Sequence, residues 1–254
     1  MQRHAFSLVE LSIVLVILGL LTGGILAGQS LIRAAELRSI TTEASKYQTA
    51  VMTFKDKYFA LPGDMTNAIQ FWGAAHATPA TCKDTASTDA RTCNGDGDGG
   101  IDESTASYEE MRFWQHLANA SLIEGSYNGV GSGGGSSYAG AAPTSKGNKS
   151  AFWVPWFYGV QAPNSDTVSF GGNWGNTMEL YQEGSAYYVA RPDEIWNIDT
   201  KLDDGMPGTG KMMANKGDAT YPCTTRANQL TDAGAQYNLS HTGKSCYMAF
   251  ANWF

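Results

Sequence analysis

Residues 1–24 read MQRHAFSLVELSIVLVILGLLTGG, and across residues 5–32 the only charged side chain is Glu10. That run exceeds the roughly 20 apolar residues that cross a bilayer as a helix, so this end of the chain must meet lipid or an equally apolar surface. Arg3 and His4 precede it, and the positive-inside bias keeps the extreme N-terminus in the cytoplasm and sends the rest outward. An ionised carboxylate in hydrocarbon costs several kcal/mol unless it is neutralised, snorkelled or paired. Glu10 therefore calls for a partner.

Behind the apolar run, Leu37, Ile40, Ala44, Tyr47, Val51, Phe54 and Tyr58 recur at spacings of three and four, which marks one face of a helix. Arg33, Glu36, Arg38, Glu43, Lys46 and Lys55 occupy the other faces, and no proline interrupts residues 1–61. At 1.5 Å per residue, residues 6–58 predict a rod about 80 Å long, apolar all round in its first half and amphipathic in its second. Leu61-Pro62-Gly63-Asp64 is the stop signal. A secretory signal peptide is the competing reading, with Leu26-Ala27-Gly28 as its cut, but the helical pattern continues straight past that point.

The stretch AFSLVELSIVLVILGLL resembles the class III signal of type IV pilins and pseudopilins: a short basic leader, a small residue, then Phe, with a glutamate four residues further on. The resemblance implies a prepilin peptidase cut between Ala5 and Phe6, methylation of the new N-terminal Phe6, and assembly through Glu10, which pairs with the freed α-amino group of its own or a neighbouring chain. It also implies an α+β fold, a long N-terminal helix packed on a head with a small antiparallel sheet. Two features depart from the family pattern: Ala5 stands where Gly is usual, and the proline about twenty residues into the mature helix is absent. Gly19, Gly23, Gly24 and Gly28 are then the positions where the helix could bend.

The resulting organisation is a leader at residues 1–5, the helix at 6–58 with 6–32 as membrane span and filament core, and a head at 59–254. The head carries eleven Lys and Arg against twenty Asp and Glu, and this acidity argues against autonomous nucleic-acid binding. With 43% hydrophobic and 11% aromatic residues the chain has ample material for a core. Cys82, Cys93, Cys223 and Cys246 form an even set without CxxC spacing, which reads as disulfides outside the cytoplasm. Three pairings are open; the two sequence-local ones close short loops at small entropic cost and are preferred.

CNGDGDGGIDES places Asn94, Asp96, Asp98, Gly100 and Asp102 at the first, third, fifth, seventh and ninth positions of an EF-hand-like Ca²⁺ loop, with Gly99 at the sixth. Thr105 occupies the twelfth position, which leaves Glu103, Glu109 or Glu110 to close the shell, or Ca²⁺ to bind weakly through water. The alternative is an Asp/Gly-rich turn stapled by Cys93. Ser107-x-x-Glu110 reads as a capping box ahead of a helix with Met111, Trp114, Leu117 and Leu122 on its apolar side. Residues 125–150 read as a mobile Gly/Ser-rich surface loop. AFWVPWFYGV, DTVSF, TMELYQ and AYYVA read as strands, and Arg191-Pro192-Asp193-Glu194 opens a helix.

The stretch IDTKLDDGMPGTGK, together with ALPGD, resembles a subgroup of large bacterial pilin-like proteins, and Asp199, Asp203 and Asp204 are a weaker second Ca²⁺ candidate. His76, His116 and His241 are isolated, and no GxSxG, HExxH or phosphate-binding loop is present, so no enzyme is expected. Trp153, Trp156, Tyr158, Trp253 and Phe254 have the chemistry to stack on sugars or bases, but aromatics in a sheet are more often core. The expected function is a structural filament subunit with other pilins, prepilin peptidase and inner-membrane assembly machinery as partners. It starts in the bacterial inner membrane, head outside the cytoplasm, and ends in an extracellular pilus or periplasmic pseudopilus. A type II secretion pseudopilin or minor tip pilin, and a secreted calcium-dependent binding protein or enzyme, are the alternatives.

Overall fold

A computed structural model describes residues 7–87, 89–102, 108–130, 137–165, 167–182 and 188–254. One helix, α1 (Leu8–Tyr58), runs unbroken through all four glycines of its apolar half. It ends where Phe59 takes up a left-handed backbone and its N–H donates to the Lys55 carbonyl, just ahead of the expected stop. The membrane-length apolar window of α1 is unburied among the described residues; the amphipathic half buries Ile40, Ala44, Tyr47, Val51 and Phe54, with Leu37 and Tyr58 partly covered. The expected stripe is the buried one.

Three short or medium helices follow: α2 (Ala68–Trp72), α3 (Pro79–Cys82) and α4 (Glu109–Asn119). Ser107 lies outside the described residues; α4 starts after Tyr108 without a side-chain cap, which makes Glu110 its second residue rather than the third that a capping box needs. Met111, Trp114 and Leu117 are buried as their spacing predicts, and the Trp114 ring meets Tyr47 of α1 edge-on at 4.8 Å.

The sheet has four antiparallel strands in the order β1 (Ala151–Gln161), β2 (Gly172–Gln182), β4 (Met248–Phe250), β3 (Met212–Ala214). Trp153, Leu180, Met248 and Ala214 form one cross-strand row on the face that packs against α1. The opposite face is covered as well, by Phe170, Trp174 and Ala235 over Met213 and Ala249. Pro155 sits inside β1, which an edge strand tolerates because one side of its backbone needs no partner.

Asp166 of DTVSF lies outside the described residues, and the remaining TVSF does not form a strand. Its Val168 carbonyl accepts the Lys216 N–H and Phe170 covers the outer sheet face, so the segment serves as a lid rather than a ladder member. AYYVA lies partly outside the described residues, and its remainder makes only a single bridge, Ala190 to Cys246. β3 and β4 are three residues each, too short to show any alternation. A last helix, α5 (Pro192–Leu202), opens at the expected Pro-Asp-Glu turn.

The Gly/Ser-rich segment is not a free surface loop over its second half. Ala141, Ala142 and Ser145 are buried, because Glu43 of α1 accepts from Ser145 Oγ (2.9 Å), the Lys146 N–H (2.9 Å) and Trp153 Nε1 (3.1 Å). Glu43 thus faces the head, not solvent: it adjoins Ile40 and Tyr47 along the helix, and three donors replace its water. Both preferred disulfides are present, Cys82–Cys93 and Cys223–Cys246.

Candidate functional site

At the N-terminal end, Ser7 caps α1. Its Oγ accepts the Val9 N–H (3.3 Å), and the Glu10 carboxylate accepts the Ser7 N–H (2.9 Å), giving a reciprocal capping box. Glu10 therefore already holds one backbone donor that the helix leaves unpaired, a role the charge argument alone did not predict. Beyond it, Leu11, Ile13, Val14, Leu15, Val16 and Ile17 are each at least half exposed. Where this surface ends, the Arg33 guanidinium forks onto Glu194 of α5, with Nη2 to Oε2 at 2.8 Å. That pair ties α1 to α5 where the bare half begins.

In the head, Asp96 and Asp98 come together with Asp64 and Glu109, with carboxylate oxygens all within 4.8 Å of one another. Asp64 belongs to the LPGD stop after α1 and was not foreseen as a member; only its place in the fold brings it here. Its two oxygens accept the Gly97 and Gly99 N–H groups, the latter at 3.2 Å. Gly97 holds a φ of +79°, and a Cβ on Gly95 would collide with the Asp64 backbone at 2.4 Å, so the loop's glycines are what let it close over Asp64.

The EF-hand register is only partly reproduced. The Asn94 Oδ1 is already engaged, accepting the Ile69 N–H in the first turn of α2 at 3.0 Å. Gly100 donates its N–H to Asp98 (2.7 Å), and Asp102 stands outside the group while its main-chain carbonyl accepts the Glu109 N–H (3.2 Å). Glu103 lies outside the described residues. Burial raises Glu109 to about 8 and Asp64 to about 6 in the absence of a neutralising charge, and neighbouring acids add to both shifts.

His116, which the sequence left without a role, joins the two loops that carry these acids. Its Nδ1 accepts the Gly63 N–H (2.9 Å), so Nε2 bears the proton and faces Thr92 Oγ1 (2.9 Å) and the Cys93 carbonyl (3.2 Å). The second acidic set, Asp199, Asp203 and Asp204, also meets within 4.8 Å. Here most oxygens are already engaged: Asp203 by the Lys211 and Met212 N–H groups, Asp204 by Met206 N–H and Thr209 Oγ1, and Asp199 Oδ2 by the Tyr237 hydroxyl.

Trp153 and Trp253 are core residues and Phe254 packs against that core, so these rings do not form an open stacking platform.

Residues 1–26 match the prokaryotic N-terminal methylation motif. The chain carries the class III signal of type IV pilins and pseudopilins. No curated protein and no solved structure matches it. The methylation motif covers the cut-site residues Ala5 and Phe6, which lie outside the described residues, and reaches into α1 beyond Glu10. Such a signal implies processing by prepilin peptidase and assembly with pilins, and with the bare apolar half of α1 it suits a membrane-anchored pilin-like subunit.

Proposed function

We propose that this chain is a structural subunit of a type IV pilus-like filament, built by bundling N-terminal helices after cleavage between Ala5 and Phe6. The observation that carries the reading is the continuity of the methylation motif with a 51-residue helix whose membrane-length apolar window is left unburied by the described residues. An apolar surface of that size is stable in lipid or against copies of itself, and a filament exchanges the first for the second. Cleavage frees an α-amino group one helical turn from Glu10; inside a bundle the two charges match across subunits, whereas a lone chain in the membrane leaves them poorly compensated. The mature N-terminus tests this. Mass spectrometry of chain recovered from a host with a prepilin peptidase is expected to give methylated Phe6 as the first residue. A start near Gly28 would instead identify a secreted protein and end the filament reading.

A further inference from the structure

We propose that Asp64, Asp96, Asp98 and Glu109 hold one Ca²⁺ ion that locks the exit of α1 to the Cys82–Cys93 disulfide loop and the start of α4. Their oxygens lie within 4.8 Å of one another, and oxygens on opposite sides of a Ca²⁺ ion stand about 4.6–5.2 Å apart, so one ion reaches all four. Among the described residues none of the four forms an ion pair with Lys or Arg, which leaves four like charges without a counter-charge.

The buried side of the cluster points to a ligand independently of its charge. Glu109 is 0% exposed; its Oε1 accepts the Asp96 N–H at 2.9 Å, while Oε2 has no hydrogen-bond partner. A fully buried, unpartnered oxygen on a carboxylate that stands with three others is costly unless something positive occupies the space between them. Asp96 and Asp98 lie on the exposed side, where water can complete the shell. The donors are all hard oxygens, with no His or Cys, and two of them ride on a glycine-rich loop. That favours Ca²⁺ over transition metals and over Mg²⁺, which demands a tighter octahedron.

The four residues come from three separate stretches of chain, so the ion binds only the folded head and stabilises it by mass action. His116, bonded to both loops, pre-sets their spacing without touching the ion's ligands. Asp204 of the second acidic set serves as a control, because both of its oxygens already accept, from the Met206 N–H and Thr209 Oγ1.

The test is calorimetric titration of the full chain in detergent micelles, stripped with EGTA, using calcium chloride and then magnesium chloride. Wild type is expected to bind Ca²⁺ in preference to Mg²⁺. Asp98→Asn and Glu109→Gln are each expected to weaken it by at least about ten-fold, the loss that even outer-shell changes cause. Asp204→Asn is expected to leave that binding unchanged. Asp98 is exposed, so its variant keeps the test valid if Glu109→Gln does not fold by circular dichroism. No calcium uptake by wild type, wild-type affinity in Asp98→Asn, loss of binding through Asp204→Asn alone, or equal affinity for Mg²⁺ would each overturn the proposal.

Discussion

Glu10 has two separable roles, a charge and a cap. Glutamine keeps an acceptor for the Ser7 N–H but removes the charge, so Glu10→Gln distinguishes them. Both Glu10→Gln and Glu10→Ala are expected to be cleaved ahead of Phe6 and to yield no fibres by electron microscopy; normal fibres from the glutamine variant would leave the carboxylate with capping alone. His116 offers a second residue-scale prediction. Burial, with Arg112 nearby, lowers its pKa to about 3 from an unfolded value near 6.5. The unfolded chain therefore binds one more proton between those values, and the stability His116 contributes is complete above about pH 6.5 and lost as pH falls toward 3. Within that window its contribution to the slope is about 1.4 kcal/mol per pH unit. Urea unfolding at pH 5 and 7.5 checks it: His116→Gln, which cannot take up that proton, is expected to show a correspondingly flatter dependence, and an unchanged slope would refute the assignment.

Among elements, α1 meets α5 where its bare half begins. Arg33 is the first charged residue after the apolar run, and its fork onto Glu194 is the last tie before the helix leaves the head. Replacing Glu194 with Ala removes two charge-assisted bonds and the acceptor for the Arg191 N–H. The expected cost is roughly 1.5–3 kcal/mol, toward the lower end because Arg33 is a third exposed. Thermal unfolding of the full chain in micelles reads that loss directly, and an unchanged midpoint would mean that water already satisfies Arg33. The long amphipathic stripe and the Pro-Asp-Glu start of α5 were legible because local periodicity and capping chemistry specify them. The three-residue strands β3 and β4 were not, since Met-Ala-Phe becomes a strand only when β2 offers it a ladder, and Met-Met-Ala only when β4 does.

At the level of the whole molecule, the head closes both faces of its sheet while the first half of α1 stays uncovered. Expressed in a bacterial host, the full chain is expected to remain in the membrane pellet after alkaline carbonate extraction, as a spanning helix does and a loosely bound protein does not. Release into the supernatant would contradict a spanning anchor. The same geometry explains why the head is tied together so heavily. Glu43, the two disulfides and His116 hold loops that carry little regular structure behind α1.

The sequence by itself determined the apolar span, the methylation motif, the buried stripe of α1, the start of α5 and the preferred cysteine pairing. Each depends on residues close together along the chain, where helix period, charge and loop entropy act without help from the rest of the fold. Only the tertiary structure decided that Glu43 faces inward, that TVSF covers the sheet instead of joining it, and that Asp64 and Glu109 stand with Asp96 and Asp98 while Asn94 is engaged at the first turn of α2. Those outcomes depend on which donors and carboxylates meet across ten or more residues of intervening chain, and an alternating run of acids cannot reveal partners that folding alone brings beside it.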